Sequence, residues 1–194
     1  MKINKDYLIP SRVWFSLTGL CNNFCTWCFR NGSEITNFLD HALILQAADT
    51  LVKCGSKNCS VIGGEPLLYK DCEILVSELT NRFSSCTLIT NGRLLNSKIL
   101  DSWSGNKKLS VAVSLHGANQ EHYYNNTGSD KGFEETINAI KNLKSAGISN
   151  SVNVVLGKEN LTEMIKFIEI ISELKVNTLC FTIAIPSVDD NNYH

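Results

Sequence analysis

The chain is 194 residues long, 43% hydrophobic and 19% charged, with a formal net charge of −1; these are the proportions of an ordinary globular chain long enough to bury one substantial core. The charge balance excludes the basic field selected by phosphate backbones or anionic lipid surfaces, so neither nucleic acid nor membrane is expected as a partner. The opening MKINKDYLIPSRVWFSL lacks the continuous apolar segment and cleavage site of a secretory signal, no run reaches bilayer length, and eight cysteines without export features point to the reducing cytoplasm.

In chain order, apolar β-branched stretches alternate with stretches of helical period. RVWFSL (12–17) predicts a strand, and 39–54, with Leu43, Ala47 and Leu51 four apart, predicts an amphipathic helix closed by Gly55. CSVIGG (59–64) predicts a second strand with a helix over 71–80, and SCTLIT (85–90) a third with a weaker helix near 95–103. LSVAVSL (109–115) is the fourth, followed by the helix FEETINAIKNLKSAG (133–147), and SVNVVL (151–156) the fifth, followed by LTEMIKFIEIISEL (161–174). TLCFTIAI (178–185) is the sixth. Repeats of roughly 30 residues have the size of a βαβ step, and strands without polar alternation belong to a covered parallel sheet. The expected fold is α/β, a partial (β/α)6 TIM-like barrel with ligands at the carboxyl ends of its strands. Six strands cannot close as eight do, so an open lateral cleft is expected, with the edge strands covered by the termini.

The unusual residues stand where the strands end. Strand one runs into Cys21, Cys25 and Cys28 within LTGLCNNFCTWCFRNGS, strand two into Gly63, Gly64, Glu65 and Pro66, strand three into TNG with Asn91, and strand four into SLHG with Ser114 and His116. A [4Fe–4S] cluster has four irons to be ligated by thiolates, and three cysteines leave one of them open for a small molecule. That is the logic of catalytic metal sites, which keep a coordination position free. Asn22, Asn23 and Thr26 do not continue a strand and let the segment wrap so that three thiolates face one point. The rival readings are weaker. Zinc prefers four protein ligands, and the spare thiols Cys54 and Cys59 lie beyond a helix; inert cysteines favour apolar packed positions rather than a polar loop. Cys54, Cys59, Cys72, Cys86 and Cys180 lack ligand spacing and read as packing residues.

Cys21-x3-Cys25-x2-Cys28, with Trp27 before the last cysteine and GGEP after the next strand, resembles the signature of the radical S-adenosylmethionine (SAM) enzymes from about residue 13 to 185. The resemblance implies that Cys21, Cys25 and Cys28 hold a [4Fe–4S] cluster whose open iron takes the amino and carboxylate groups of SAM. Reduction by a donor such as flavodoxin or ferredoxin then yields a 5′-deoxyadenosyl radical that abstracts a substrate hydrogen. Gly63 and Gly64 suit a close approach to the methionine end, and Glu65 offers a carboxylate to its ammonium; alone, the glycine pair reads as a tight turn stiffened by Pro66. By the same resemblance Ser114 looks like a ribose-binding serine, where the bland reading is a strand-end serine. Trp27 would flank the adenine mainly through its backbone, or else is a packed aromatic. Where some relatives place an arginine that reaches the SAM carboxylate, this chain has Asn126, whose amide can hydrogen-bond a carboxylate but brings no charge, so either Arg93 or a lysine substitutes or binding is weaker. Asn91 reads as part structural and part site-lining, and His116 and His122 either touch substrate or pack.

Size and motif order most resemble the core of peptide- or protein-modifying members of the SPASM, maturase-like type, without their C-terminal auxiliary-cluster domain. The expectation is one core domain, 1–194, either a minimal enzyme or the N-terminal part of a longer protein. A peptide or protein substrate is therefore expected; the alternatives are a small metabolite or nucleotide, and a cluster- and SAM-binding module without turnover.

Overall fold

The six predicted strands all form, and they lie side by side in the order in which the chain makes them. The computed structural model describes residues 9–28, 37–158 and 160–184. Its strands are β1 (Arg12–Ser16), β2 (Asn58–Ile62), β3 (Ser85–Thr90), β4 (Leu109–Ser114), β5 (Ser149–Leu156) and β6 (Leu179–Ile183), every neighbouring pair parallel. The helices are α1 (His41–Lys53), α2 (Cys72–Arg82), α3 (Ser97–Trp103), α4 (Gln120–Thr127), α5 (Gly132–Ser145) and α6 (Met164–Leu174). Strictly sequential order, without the reversal that splits a doubly wound sheet, is the connectivity of a barrel wall. β1 and β6 do not pair with each other among the described residues, so the wall is a partial barrel. The expected cover of the edge strands by the termini falls on residues 1–8 and 185–194, outside the described residues, as does the last position of the predicted sixth strand.

Side chains that point outward from the wall, among them Val61, Leu88 and Val154, are fully buried under the helices. Their inward neighbours Ile62, Ile89 and Val155 are only half-buried and line a cavity. Alternation thus returns where full burial on both faces was expected, because the upper interior of this barrel is space for a ligand rather than packed core. Lower down, the register brings Ser60, Thr87 and Ser110 into one inward layer. Thr87 and Ser110 hydrogen-bond at 3.2 Å, and the Arg12 guanidinium donates to Ser60 Oγ at 3.1 Å and Thr87 Oγ1 at 3.3 Å. At the lower end of the barrel these side chains form a polar cluster around the exposed Arg12, their donors and acceptors meeting one another.

Two local features depart from the sequence reading. The stretch read as a helix over 161–174 starts as a 3-10 turn, Leu161–Glu163, before α6. α4 was not anticipated, since only Tyr123 supplies it with a large buried apolar side chain. Its signals were the flanking residues: the Asn119 side chain caps it by accepting from His122 N, and Gly128 ends it at φ +69°. Its last carbonyls, orphans of any helix end, accept from the cysteine loop, Thr127 O from Phe24 N at 2.8 Å and Asn126 O from Thr26 N at 3.1 Å.

Asn119→Ala removes this cap and is expected to cost the apo protein about 1 kcal/mol, measured by urea denaturation. It also speeds hydrogen exchange at the Phe24 and Thr26 amides. Asn96→Ala, which removes the equivalent cap of α3, leaves those two amides unchanged.

Candidate active site

Cys21, Cys25 and Cys28 lie in a loop just beyond β1, all three reduced and half-buried. They border a cavity of about 390 Å³ at the carboxyl ends of the strands, with Trp27, Gly63, Gly64, Glu65, Asn91 and Ser114 also in its lining. Burial, with the neighbouring Cys21 and Cys28, pushes the Cys25 thiol up to about 12. Burial also raises Cys21, against a hydrogen bond from the Asn23 amide. Ligating thiols must release their protons, so loading of this loop is coupled to deprotonation. The thiols are close enough to feel one another's charge, yet among the described residues no three His, Cys, Asp or Glu side chains converge to hold a single ion. Structural zinc takes four protein ligands, whereas three loop thiols match a cluster in which each thiolate takes its own iron.

The two glycines, both in the cavity lining, also pack closely against the chain itself. A Cβ on Gly64 would lie 2.1 Å from the carbonyl oxygen of Leu20, and one on Gly63 2.9 Å from that of Thr18. The turn packs against the backbone that leads into Cys21, and Gly64 N donates to Thr18 O and Glu65 N to Leu20 O, both at 2.7 Å. Close approach here is chain to chain, and it sets the height of the cysteine loop over β2.

Glu65 is buried and its carboxylate is held by the protein's own donors: Thr90 Oγ1 at 2.6 Å, Asn91 N at 2.8 Å and Leu67 N at 3.0 Å. Burial raises its pKa, and those three donors with Arg93 oppose the rise. Asn91 borders the cavity but donates its side-chain amide to Asn22 Oδ1 at 2.6 Å. Pro66 and Asn126 do not line the cavity. Pro66 is buried at the start of a 3-10 turn, and the Asn126 amide donates to His116 O at 2.7 Å. Arg93, the suggested source of positive charge for the SAM carboxylate, is likewise outside the lining and engaged by protein partners.

Of the two histidines, His116 lines the cavity, its ring edge-on to Trp27 with centroids 5.5 Å apart. His122 lies outside it, paired with Glu163. Cys59, Cys72 and Cys86 are buried as expected of packing residues, whereas Cys180 is exposed on β6 and Cys54 is half-buried. Residue types alone did not point to Arg93, Glu135 and Tyr123 as supports of the cysteine loop. Only their hydrogen bonds to Asn22, Asn23 and one another reveal that role.

The close approach makes a graded prediction. Gly64→Ala is expected to destabilise the apo protein by about 3 kcal/mol and Gly63→Ala by about 1 kcal/mol, read from urea midpoints. A second prediction follows from His116, whose burial lowers its pKa to about 4 from an unfolded value near 6.5. Between these values the unfolded chain binds the extra proton, so stability falls as pH drops below about 6.5, by up to about 3 kcal/mol at pH 4. His116→Gln flattens that part of the stability profile.

A family model for the radical SAM superfamily matches residues 15–171. The chain is 26% identical over 163 residues to the antilisterial bacteriocin subtilosin biosynthesis protein AlbA of Bacillus subtilis, covering 83% of this chain and 36% of AlbA. It is 31% identical over 173 residues to a probable GTP 3′,8-cyclase of Saccharolobus islandicus, covering 84% of this chain and 54% of the cyclase. Among solved structures, Streptococcus suis SuiB bound to precursor peptide SuiA superposes with a TM-score of 0.82 at 18% identity, over 91% of this chain and 40% of SuiB. The chain thus spans between about a third and just over half of these relatives. With three loop thiols, the GGEP turn and Ser114 gathered at one mouth of a six-stranded partial barrel, the chain belongs to the radical SAM superfamily, whose enzymes use a [4Fe–4S] cluster and SAM.

Proposed function

We propose that this chain is the core of a radical SAM enzyme that abstracts hydrogen from a peptide or protein substrate, with Cys21, Cys25 and Cys28 as the three cluster ligands. The observation that carries the reading is the meeting of three thiols, the Gly63–Gly64–Glu65 turn and Ser114 around one cavity. When bound, the cluster supplies the electron that cleaves SAM to methionine and a 5′-deoxyadenosyl radical.

The chain's own residues bind, orient and exclude water. The Ser114 hydroxyl donates and accepts, which suits a ribose diol, and Trp27 borders the adenine side. The turn at Gly63 and Gly64 offers backbone to the methionine end, with Glu65 and Asn91 along its rim. Pro66 and Asn126 contribute by shaping that turn and the segment after β4. Ile62, Ile89 and Val155 form an apolar wall, which keeps water from a reactive carbon centre.

A peptide or protein substrate is supported by a wall in which β1 and β6 do not pair among the described residues and by the names of two relatives, a bacteriocin biosynthesis protein and a structure bound to a precursor peptide. The second reading, a nucleotide or small metabolite, is favoured by one observation, the 31% identity to a probable GTP cyclase. No helix among the described residues is long and apolar enough to cross a membrane.

Anaerobic reconstitution with iron and sulfide, then dithionite and SAM, is expected to yield 5′-deoxyadenosine, and Cys21→Ala, Cys25→Ala and Cys28→Ala each abolish it with loss of iron. Bound but uncleaved SAM would instead identify a module without turnover, and purified material holding zinc would sink the cluster assignment. Acceleration of 5′-deoxyadenosine formation by GTP, and not by peptides encoded beside the gene, would decide for the nucleotide reading.

A further inference from the structure

The cysteine loop is held from one side by a single guanidinium. Arg93, just after β3, donates from one terminal nitrogen to Asn22 O at 2.5 Å and to Asn23 Oδ1 at 2.7 Å. Its Nε donates to Glu135 Oε2 on α5 at 2.6 Å. The Asn23 side chain is fixed further by donating to the buried Tyr123 hydroxyl at 3.2 Å. The backbone amide of the same Asn23 donates to Cys21 Sγ at 3.4 Å. Arg93 therefore places a positive charge next to the loop and fixes the residue whose N–H meets a ligand sulfur, while Glu135 offsets part of that charge from behind.

Hydrogen bonds to the sulfurs and the net charge around an iron–sulfur cluster are among the factors that set its reduction potential, and residues behind the ligands orient them and tune the metal. Resting on the assignment of Cys21, Cys25 and Cys28 as cluster ligands, we infer that Arg93 is a positioning residue that raises the potential of the cluster through Asn23 and its own charge, and that Glu135 moderates it. The reduced cluster carries one more negative charge than the oxidised one. A nearby cation and an N–H on sulfur favour the reduced state, and a nearby carboxylate opposes it. The Arg93–Glu135 pair thus sets how readily an external donor loads the electron.

The test is an EPR-monitored redox titration, without SAM, of the anaerobically reconstituted full chain in four forms: wild type, Arg93→Met, Arg93→Lys and Glu135→Gln. Arg93→Met is expected to move the midpoint to more negative values, Glu135→Gln to less negative values, and Arg93→Lys to fall between Arg93→Met and wild type. A purely structural brace would loosen the loop in both Arg93→Met and Glu135→Gln and move both midpoints the same way, which would overturn the inference, as would unchanged midpoints. If Arg93→Met retains no cluster, Glu135→Gln decides alone: a rise supports the inference and no rise overturns it. A wild type without a cubane signal would instead overturn the ligand assignment beneath it.

Discussion

Eight residues from Cys21 to Cys28 hold the three clustered thiols, and they belong to no helix or strand of their own. Every backbone polar group there must be met from somewhere, and every thiol must be aimed without a regular scaffold behind it. The solution is external. The last carbonyls of α4 take the amides of Phe24 and Thr26, while the Asn91 amide and the Arg93 guanidinium hold Asn22 and Asn23. The backbone entering Cys21 rests on two glycines whose missing Cβ atoms leave room for the carbonyls of Thr18 and Leu20. The loop is therefore set by β2, β3 and α4 together, three elements far apart in the chain.

Glu65 joins these supports. One oxygen accepts from Thr90 and the other from Asn91 N, and Asn91 in turn reaches Asn22, so the ends of β2 and β3 and the cysteine loop form one connected polar network. A buried carboxylate in such a network is costly when unpaired and useful when every partner is present, because it admits few alternative arrangements. The network surrounds the cavity rather than filling it. Its rigidity leaves Ser114, His116 and the thiols to face whatever enters.

The barrel interior repeats this division. Its lower end carries the polar cluster of Arg12 with Ser60, Thr87 and Ser110; its upper half is left to a ligand, bordered by Ile62, Ile89 and Val155. β1 and β6 are unpaired among the described residues, so the wall of six strands stays a partial barrel. The names of the relatives point to chemistry on peptides in some and on nucleotides in others.

Six strands, five of the six helices and the identity of the cysteine, glycine and serine motifs were legible in the sequence, because burial of apolar periods and the chemistry of three clustered thiols are local properties of residue type and spacing. The short polar helix α4 was not, since its pattern lacks an apolar stripe and only Asn119 and Gly128 mark its ends. Nor were the partners of Glu65, Asn126 and Arg93. Each of these side chains is of a type that could face a ligand, and its sequence neighbours say nothing of which partner reaches it first. The Glu65 carboxylate accepts from Thr90 and Asn91 while it also borders the cavity, and the Arg93 guanidinium donates to Asn22, Asn23 and Glu135. Residue type decides what a group is able to bind; only the folded chain, by bringing donors and acceptors from tens of residues away to within about 3 Å, decides which of those bonds are already made.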